Sequence, residues 1–270
     1  YFYKDGALSD TADITTADTI IFDNTAPDTS IINSNELNKK WFASYPEINF
    51  SIQDKNISSG ISNLYITVNG VIIPAEFTNT KDNETYTLLP ESYISILTDE
   101  KSAGYRKDGK IEISAYSVDA AGNNGNTSSV SFSVDDQNPL EPDAFRAENS
   151  NVQIRSFGVF YNNAFEITVD IKDNTIHSSG ISKAVLELDG KEYVWENHSY
   201  DSSSSEMTAI FNIDQIPVIS KSPYVTVYDK VGNASKKIQL ISGSAASNPA
   251  IKALPYITIE KNPPEINVKS

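Results

Sequence analysis

The sequence has no cysteine, and this absence excludes several kinds of chemistry at once. Without thiols the chain has no disulfide bonds, no thiolate metal site and no cysteine nucleophile. No apolar run approaches the roughly 20 residues that a membrane-spanning helix needs, so we predict no membrane insertion in this segment. The chain also lacks a signal-peptide pattern and does not begin with methionine, so we expect it to be part of a longer protein.

Positive charge and histidine are scarce as well. The 270 residues carry 36 acidic and 21 basic side chains, which gives a formal net charge of −15. Because nucleic acids and anionic membranes attract basic surfaces, we expect neither as a partner. A catalytic triad needs a histidine, and only His177 and His198 occur. No glycine-rich phosphate loop or zinc-type histidine spacing occurs either. We therefore predict that this chain is not an enzyme.

Hydrophobic residues alternate with polar ones over short stretches, which is the period-2 pattern of half-buried strands. Clusters of Asn, Asp, Ser, Gly and Pro separate these stretches and favour turns. Only residues 91–101, after Pro90, suggest a short helix. The pattern predicts an all-β fold built from antiparallel β-sandwiches. The alternating stretches cover residues 48–52, 64–68, 111–113, 130–134, 165–171, 207–211 and 225–227.

Three motifs recur in the same order along the chain. Residues 54–62 (DKNISSGIS) match residues 173–182 (DNTIHSSGIS), and residues 119–123 (DAAGN) match residues 229–233 (DKVGN). Strand ends that lead through polar residues to proline occur at 22–27, 134–139 and 259–264, and their spacing is close to the ~100 residues of one immunoglobulin-like sandwich. We predict whole domains at 25–136 and 137–258, flanked by the last strands of a preceding repeat (1–24) and the start of a following one (259–270).

These motifs resemble those of tandem bacterial immunoglobulin-like domains of large surface and secreted proteins, which often carry DxTAP, SGI and DxAGN. The first repeat has all three, at residues 23–27, 59–61 and 119–123, whereas the second departs at its entry, residues 135–139 (DDQNP). The resemblance implies tandem immunoglobulin-like antiparallel β-sandwiches. It also implies an extracellular, cell-surface or cell-wall location and a non-catalytic role as a spacer or stalk between adhesive or enzymatic domains, with flanking repeats of the same chain as neighbours.

Aspartates in the repeated motifs form candidate calcium sites. In such a sandwich the loop after the second strand and the last hairpin lie at one end, where the first strand also enters. Calcium binds six to eight oxygens and tolerates irregular geometry, so it could stiffen each junction. Alternatively, these aspartates only accept hydrogen bonds from turn amides, with Gly122 and Gly232 supplying the positive φ. The candidate ligands are Asp23, Asn24, Asp54 and Asp119 in the first repeat and Asp135, Asp136, Asp173 and Asp229 in the second.

The two tryptophans leave a second function open. Trp41 and Trp195 are candidates either for core packing or for a platform that stacks against sugars. In the second case the chain would be an adhesin or carbohydrate-binding module that recognises a host protein or glycan through its loops. An exposed tryptophan or tyrosine cluster on one face would favour this alternative.

Overall fold

The chain is all-β, as its alternating hydrophobic pattern predicts, and it divides into two compact units. Near its start, β1 (Tyr3–Lys4) and β2 (Ala7–Leu8) pair antiparallel. The computed structural model describes residues 3–4, 7–8, 22–55, 58–75, 83–106, 109–142, 145–148, 153–155, 158–161, 164–188, 190–198, 206–213, 223–239 and 257–259.

The first sandwich consists of a three-stranded sheet in the order β3-β5-β8 and a five-stranded sheet in the order β4-β10-β9-β6-β7. The pairs β3–β5, β5–β8, β6–β7 and β6–β9 are antiparallel, whereas the short β4–β10 pair is parallel. Its strands are β3 (Asp28–Ile31), β4 (Trp41–Phe42), β5 (Ile48–Gln53), β6 (Ile61–Val68), β7 (Val71–Ala75), β8 (Asn83–Leu88), β9 (Lys110–Asp119) and β10 (Ser128–Val134).

The alternation in the sequence becomes the inner and outer faces of these sheets. Along β9 every second side chain is buried, from Ile111 through Asp119, because successive side chains point to opposite faces of a strand. The buried face of β5 contributes Ile48, Phe50 and Ile52 to the core. A buried hydrogen bond of 2.7 Å between the hydroxyls of Thr29 and Ser117 joins the two sheets.

The second sandwich repeats this plan with a three-stranded sheet, β11-β14-β17, and a four-stranded sheet, β16-β15-β18-β19. Between β11 and β14 the chain forms β12 and β13, which make a separate small sheet with β20; β13 and β20 are parallel. The strands are β11 (Phe145–Glu148), β12 (Gln153–Arg155), β13 (Gly158–Tyr161), β14 (Phe165–Lys172), β15 (Ile181–Leu188), β16 (Lys191–Glu196), β17 (Glu206–Ile213), β18 (Tyr224–Asp229), β19 (Ile238–Gln239) and β20 (Ile257–Ile259).

One hydrophobic core holds the two larger sheets of the second sandwich together. Buried residues of β14 and β17 pack against those of β15 and β18, which come from the other sheet. Tyr193 and Trp195 of β16 cover this core from its side as partly buried residues. Trp195 therefore packs against the core, whereas Trp41, on the short strand β4, is 39% exposed.

Helices are few and short in the described part of the chain. Helix α1 spans Ser34–Leu37, and α2 spans Ile94–Thr98 after a 3₁₀ turn at Pro90–Ser92. The short helix predicted within residues 91–101 thus lies in this region. No helix among the described residues has the length and apolar character that crossing a membrane requires.

The strand pairs within the two sandwiches connect residues inside 28–134 or inside 145–239. This distribution is compatible with domains at 25–136 and 137–258, but those bounds stay a prediction. Strand β20 extends across the predicted end of the second domain, because it runs to Ile259 and pairs with β13.

Candidate metal sites

Three aspartates from separate segments of the first sandwich form a first acidic cluster: Asp23, Asp54 and Asp119. Asp23 precedes β3, Asp54 follows β5, and Asp119 is the last residue of β9. Each offers a carboxylate oxygen within 4.8 Å of the others. Asp54 and Asp119 are buried, whereas Asp23 is partly exposed. Three segments that are distant in sequence thus bring their carboxylates to one place.

Neutral donors hold the carboxylates of the first cluster. The Thr25 amide donates to Asp23 Oδ1 at 3.0 Å, and the Ser59 amide donates to Asp23 Oδ2 at 2.7 Å. The Ser58 hydroxyl donates to Asp54 Oδ2 at 2.6 Å. Asp54 Oδ1 is buried and accepts no hydrogen bond. A buried acceptor without a partner is costly, so this oxygen needs an explanation beyond the hydrogen bonds of the cluster.

A second acidic cluster, Asp135, Asp173 and Asp229, repeats the arrangement in the second unit. Asp135 follows β10, Asp173 follows β14, and Asp229 ends β18. Their carboxylate oxygens also lie within 4.8 Å of one another. All three residues are at most 1% exposed, so this cluster is more deeply buried than the first.

Main-chain amides from two loops surround the second cluster. The Ser179 amide donates to Asp135 Oδ2 at 2.7 Å, and the Gly180 amide donates to Asp173 Oδ2 at 2.8 Å. Asp229 Oδ1 accepts the amides of residues 231–233 at 2.7–3.0 Å. The buried Ser179 hydroxyl has no hydrogen-bond partner, so this loop too contains an unsatisfied polar atom next to the carboxylates.

Positive φ angles at glycine shape both loops. Gly60 and Gly180 have φ of 82° and 88°, which a residue with a Cβ rarely adopts. Their carbonyls accept the amides of Ala120 and Lys230, both at 2.8 Å, which ties each loop to the hairpin that carries Asp119 or Asp229.

A serine directly after each of these loops lies at a shift in register between two paired strands. Strands β6 and β9 change register between Ile61 and Asn63, and β15 and β18 do so between Ile181 and Lys183. The hydroxyl of the intervening serine donates to the main-chain carbonyl of the cluster aspartate, at 3.0 Å from Ser62 and 2.6 Å from Ser182. The irregularity therefore fixes where Asp119 and Asp229 leave their strands.

The two clusters differ in the direction in which the pKa of an aspartate is shifted. The hydrogen bonds from the Thr25 and Ser59 amides lower the pKa of Asp23 to about 2. In contrast, burial raises the pKa of Asp229 to about 6, and the nearby charge of Asp135 adds to this effect. At a separation of 4.8 Å and an effective dielectric constant of about 20, each ionised pair in the second cluster repels by roughly 3–4 kcal/mol. A compensating positive charge would remove this penalty.

Both clusters fit calcium in ligand type and spacing. Oxygens that bind one ion at 2.3–2.6 Å lie at most about 5.2 Å apart, and the carboxylates satisfy this limit at 4.8 Å. Among the ion pairs of the described residues, none involves the six cluster aspartates. Each cluster offers carboxylate oxygens that no cationic side chain among the described residues pairs with. A hard divalent cation prefers oxygen donors of this kind.

One of the predicted ligands, Asp136, is not among the three aspartates of the second cluster. It instead accepts two hydrogen bonds from Arg106 Nη2, at 3.1 and 3.2 Å. Asn24 is exposed, and its role as a ligand stays a prediction. Burial acts to raise the pKa of Asp136, but the Gln137 side chain and the Arg106 charge outweigh it, so the pKa lies below its ordinary value.

Arg106 is a functional candidate that the sequence motifs do not reveal. It is 5% exposed, donates from Nη1 to the Val134 carbonyl at 2.9 Å and lies 5.0 Å from the ring centre of Tyr45. Burial raises the pKa of Tyr45 to about 12, although the Arg106 charge acts in the opposite direction. Arg106 thus holds the end of β10 and the residue after Asp135. No repeated motif contains it, and only its tertiary contacts identify it.

The serines of the SSG sequence were likewise not predicted as part of the sites. Ser58 and Ser178 bind Asp54 and Asp173 through their hydroxyls, and Ser59 and Ser179 bind the aspartate of the entering segment through their amides. The repetition of these serines in residues 54–62 and 173–182 is the sequence signal that could have identified them. Their role depends on the contact between the loop and the entering segment, which the sequence alone does not reveal.

Neither a family model nor a curated protein sequence matches the chain. Fibronectin(III)-like modules of Clostridium thermocellum CbhA align over 90% of this chain and 100% of theirs, with 13% identity and a TM-score of 0.36. The D00-D0 domain of intimin aligns over 80% and 100%, with 12% identity and a TM-score of 0.30. A Ca²⁺-stabilised ice-binding adhesin of an Antarctic bacterium aligns over 87% of this chain and 49% of its own, with 13% identity and a TM-score of 0.31. Overlaps this weak carry no information on family or function.

The raised pKa of Asp229 predicts how the stability of the metal-free protein depends on pH. Between about pH 4 and 6 the folded chain keeps a proton on Asp229 that the unfolded chain has released, so stability falls as pH rises. We expect a loss on the order of 1–3 kcal/mol, with the full shift as its upper bound. Urea unfolding in chelator at pH 4, 5, 6 and 7 measures it.

The Asp229→Asn variant serves as the control, since it cannot release this proton. The difference in unfolding free energy between wild type and variant isolates Asp229 from the other carboxyls. A difference that does not change between pH 4 and 7 would contradict the prediction.

The pair of Arg106 with Asp136 predicts strong energetic coupling. Arg106→Met removes the guanidinium that donates to the Asp136 carboxylate and the Val134 carbonyl, and we expect it to cost about 1–3 kcal/mol. Asp136→Asn in the Arg106→Met background should recover part of this loss. A double-mutant cycle in urea measures the coupling, and a value within about 0.5 kcal/mol of zero would show that the two side chains act independently.

Proposed function

We propose that the chain is a non-catalytic, extracellular spacer segment whose two acidic clusters bind Ca²⁺ and stiffen it. The observation that carries the proposal is the composition of each cluster. One carboxylate comes from the segment that enters a sandwich, Asp23 or Asp135, and two come from loops of the sandwich itself. An ion bound to all three would fasten the entering segment to the loops.

The spacer role draws on the sequence as well as on the clusters. The chain has two histidines and no cysteine, so catalytic groups are few. Its net charge of −15 favours solubility, and the prolines at residues 27 and 139 limit the freedom of the entering segments. A location at the cell surface or cell wall follows from the resemblance to bacterial immunoglobulin-like domains and is part of the same proposal.

Calcium titration of chelator-stripped protein tests the proposal. An ion that binds only the folded state stabilises it by about 2.7 kcal/mol at a hundredfold excess over Kd. For units of this size we expect the midpoint of thermal unfolding to rise by several degrees in millimolar Ca²⁺. Isothermal titration should give two sites, and equal concentrations of Mg²⁺ should give a smaller effect because Mg²⁺ needs stricter octahedral geometry.

Two pairs of variants assign the sites. Asp54→Ala with Asp119→Ala should remove one calcium site, and Asp173→Ala with Asp229→Ala should remove the other. Asp28→Asn is the matched control, because Asp28 lies near the first cluster in sequence but pairs with Lys55 on the surface. The proposal fails if the wild-type protein neither binds Ca²⁺ nor gains stability from it.

Stiffening has its own readout in single-molecule force spectroscopy. If calcium fastens the entering segments, the force needed to unfold each sandwich should rise in Ca²⁺ and return to the metal-free value in chelator. An unfolding force that is equal in both conditions would leave a calcium-binding protein without the proposed mechanical role.

Recognition of a glycan is the second candidate, and one observation favours it. Tyr65 and Tyr116 stack on neighbouring strands with ring centres 5.0 Å apart and ring planes 19° apart. Tyr65 and the nearby Ile72 of β7 are exposed. The second sandwich has Val185 opposite Thr226 in the corresponding strands, so the aromatic pair is specific to the first. Exposed aromatic rings offer the flat apolar surface that sugars stack against.

A glycan array with the wild-type chain tests this candidate. If a glycan binds at the tyrosine pair, Tyr65→Ala with Tyr116→Ala should weaken binding at least tenfold. Tyr224→Ala, which removes a similarly exposed tyrosine from the second sandwich, should leave it unchanged. An array without reproducible binding, or binding that the tyrosine variants do not affect, rejects the candidate.

A further inference from the structure

The asparagine of each Asp-x-x-Gly-Asn motif makes the same three contacts in both units. Asn123 Nδ2 lies 2.7 Å from Asp119 Oδ2, 3.2 Å from the Asp23 carbonyl and 3.4 Å from the Thr25 carbonyl. Asn233 Nδ2 lies 2.8 Å from Asp229 Oδ2, 2.8 Å from the Asp135 carbonyl and 3.1 Å from the Gln137 carbonyl. In each unit, therefore, one side chain connects the last hairpin to the entering segment.

The partners determine the orientation of these carboxamides. All three neighbours of each Nδ2 atom are acceptors, a carboxylate oxygen and two carbonyl oxygens, so only the NH₂ group can face them. With two hydrogens for three acceptors, one hydrogen binds the carboxylate and the other is shared between the two carbonyls. The carboxylate of Asp119 or Asp229 thus orients a donor that grips the main chain of the entering segment.

The turn itself does not need these side chains. The main-chain amides of Asn123 and Asn233 each donate to Oδ1 of the hairpin aspartate at 2.8 Å. The preceding Gly122 and Gly232 set the turn with φ of 92° and 96°. These contacts survive replacement of the carboxamide by a methyl group. Hairpin closure and attachment of the entering segment are therefore separable by mutation.

We propose that Asn123 and Asn233 are positioning residues of the two calcium sites. Each holds the carbonyl of the entering aspartate and the carbonyl two residues later, and so places Asp23 or Asp135 beside the other two carboxylates before an ion binds. Without such contacts the repulsion among three carboxylates favours departure of the entering segment, because it is the one part of the cluster outside the sandwich loops. The inference rests on the proposed calcium binding.

The test compares Asn123→Ala and Asn233→Ala with Asn126→Ala in the full chain. Asn126 is the matched control because its carboxamide bonds the main chain of Thr29 in β3 and touches no cluster carboxylate. Calcium binding is followed by two-dimensional NMR at the Ser59 and Ser179 amides, which donate to Asp23 and Asp135. Hydrogen exchange at the Thr25 and Gln137 amides is measured in chelator.

We expect each variant to weaken calcium binding at its own cluster about tenfold and to leave the other cluster within twofold of wild type, since contacts to metal ligands typically contribute this much. Exchange should accelerate at Thr25 in Asn123→Ala and at Gln137 in Asn233→Ala. Asn126→Ala should change neither affinity. If an alanine variant does not fold, the leucine variant at the same position, which keeps the volume, replaces it.

The outcomes separate this inference from the proposed function. If wild type binds calcium and the Asn123 and Asn233 variants bind it equally well, the inference is overturned and the proposed function stands. If both affinities fall together in every variant, including Asn126→Ala, the effect is general destabilisation and the inference is also overturned. If wild type binds no calcium, the proposed function and the calcium role of the asparagines fail, and exchange still decides whether they hold the entering segments.

Discussion

In each unit, three carboxylates lie close together among hydrogen-bond donors that carry no charge. The loops that hold these carboxylates depend on this constraint. Amides, hydroxyls and carboxamides can orient a carboxylate, but they do not cancel its charge. In the second cluster all three aspartates are at most 1% exposed, and burial together with the charge of Asp135 raises the pKa of Asp229 to about 6. The loop conformations, the SSG amides and the hairpin asparagines all serve to keep like charges together.

The sandwich makes this arrangement possible because the aspartates that it contributes from its own loops lie at the end of a strand or directly after it. Asp54 follows β5 and Asp173 follows β14, and Asp119 and Asp229 end the strand before the last hairpin. Alternating apolar residues fix these strands in the core. The positions of the carboxylates are therefore set by packing in which the carboxylates themselves take no part. The serine in each register shift completes the connection between core and cluster.

Much of this was predictable, and the limit has a physical cause. The strands, the positive φ of Gly122 and the placement of Ile61 in the core follow from local patterns, because each depends on residues close in sequence. The convergence of the aspartates follows from topology. The pairing of Asp136 with Arg106 and the stacked tyrosines depend on contacts between distant segments, which no local pattern encodes. Trp41 is exposed because β4 is a two-residue strand at the edge of its sheet.

The two clusters use the same ligands but differ in what a cation would find there. In the first, Asp54 Oδ1 is buried without a donor, and the strongly bonded Asp23 stays ionised over the whole physiological range. In the second, the matching oxygen of Asp173 already accepts the Asn174 amide, and the loop is one residue longer, with His177 at a positive φ of 61°. An ion at the first site would thus meet a carboxylate oxygen that accepts no hydrogen bond, whereas the matching oxygen of the second site already accepts one. Identical motifs therefore do not imply identical affinity, because the residues between the motif positions decide how many carboxylate oxygens are already occupied.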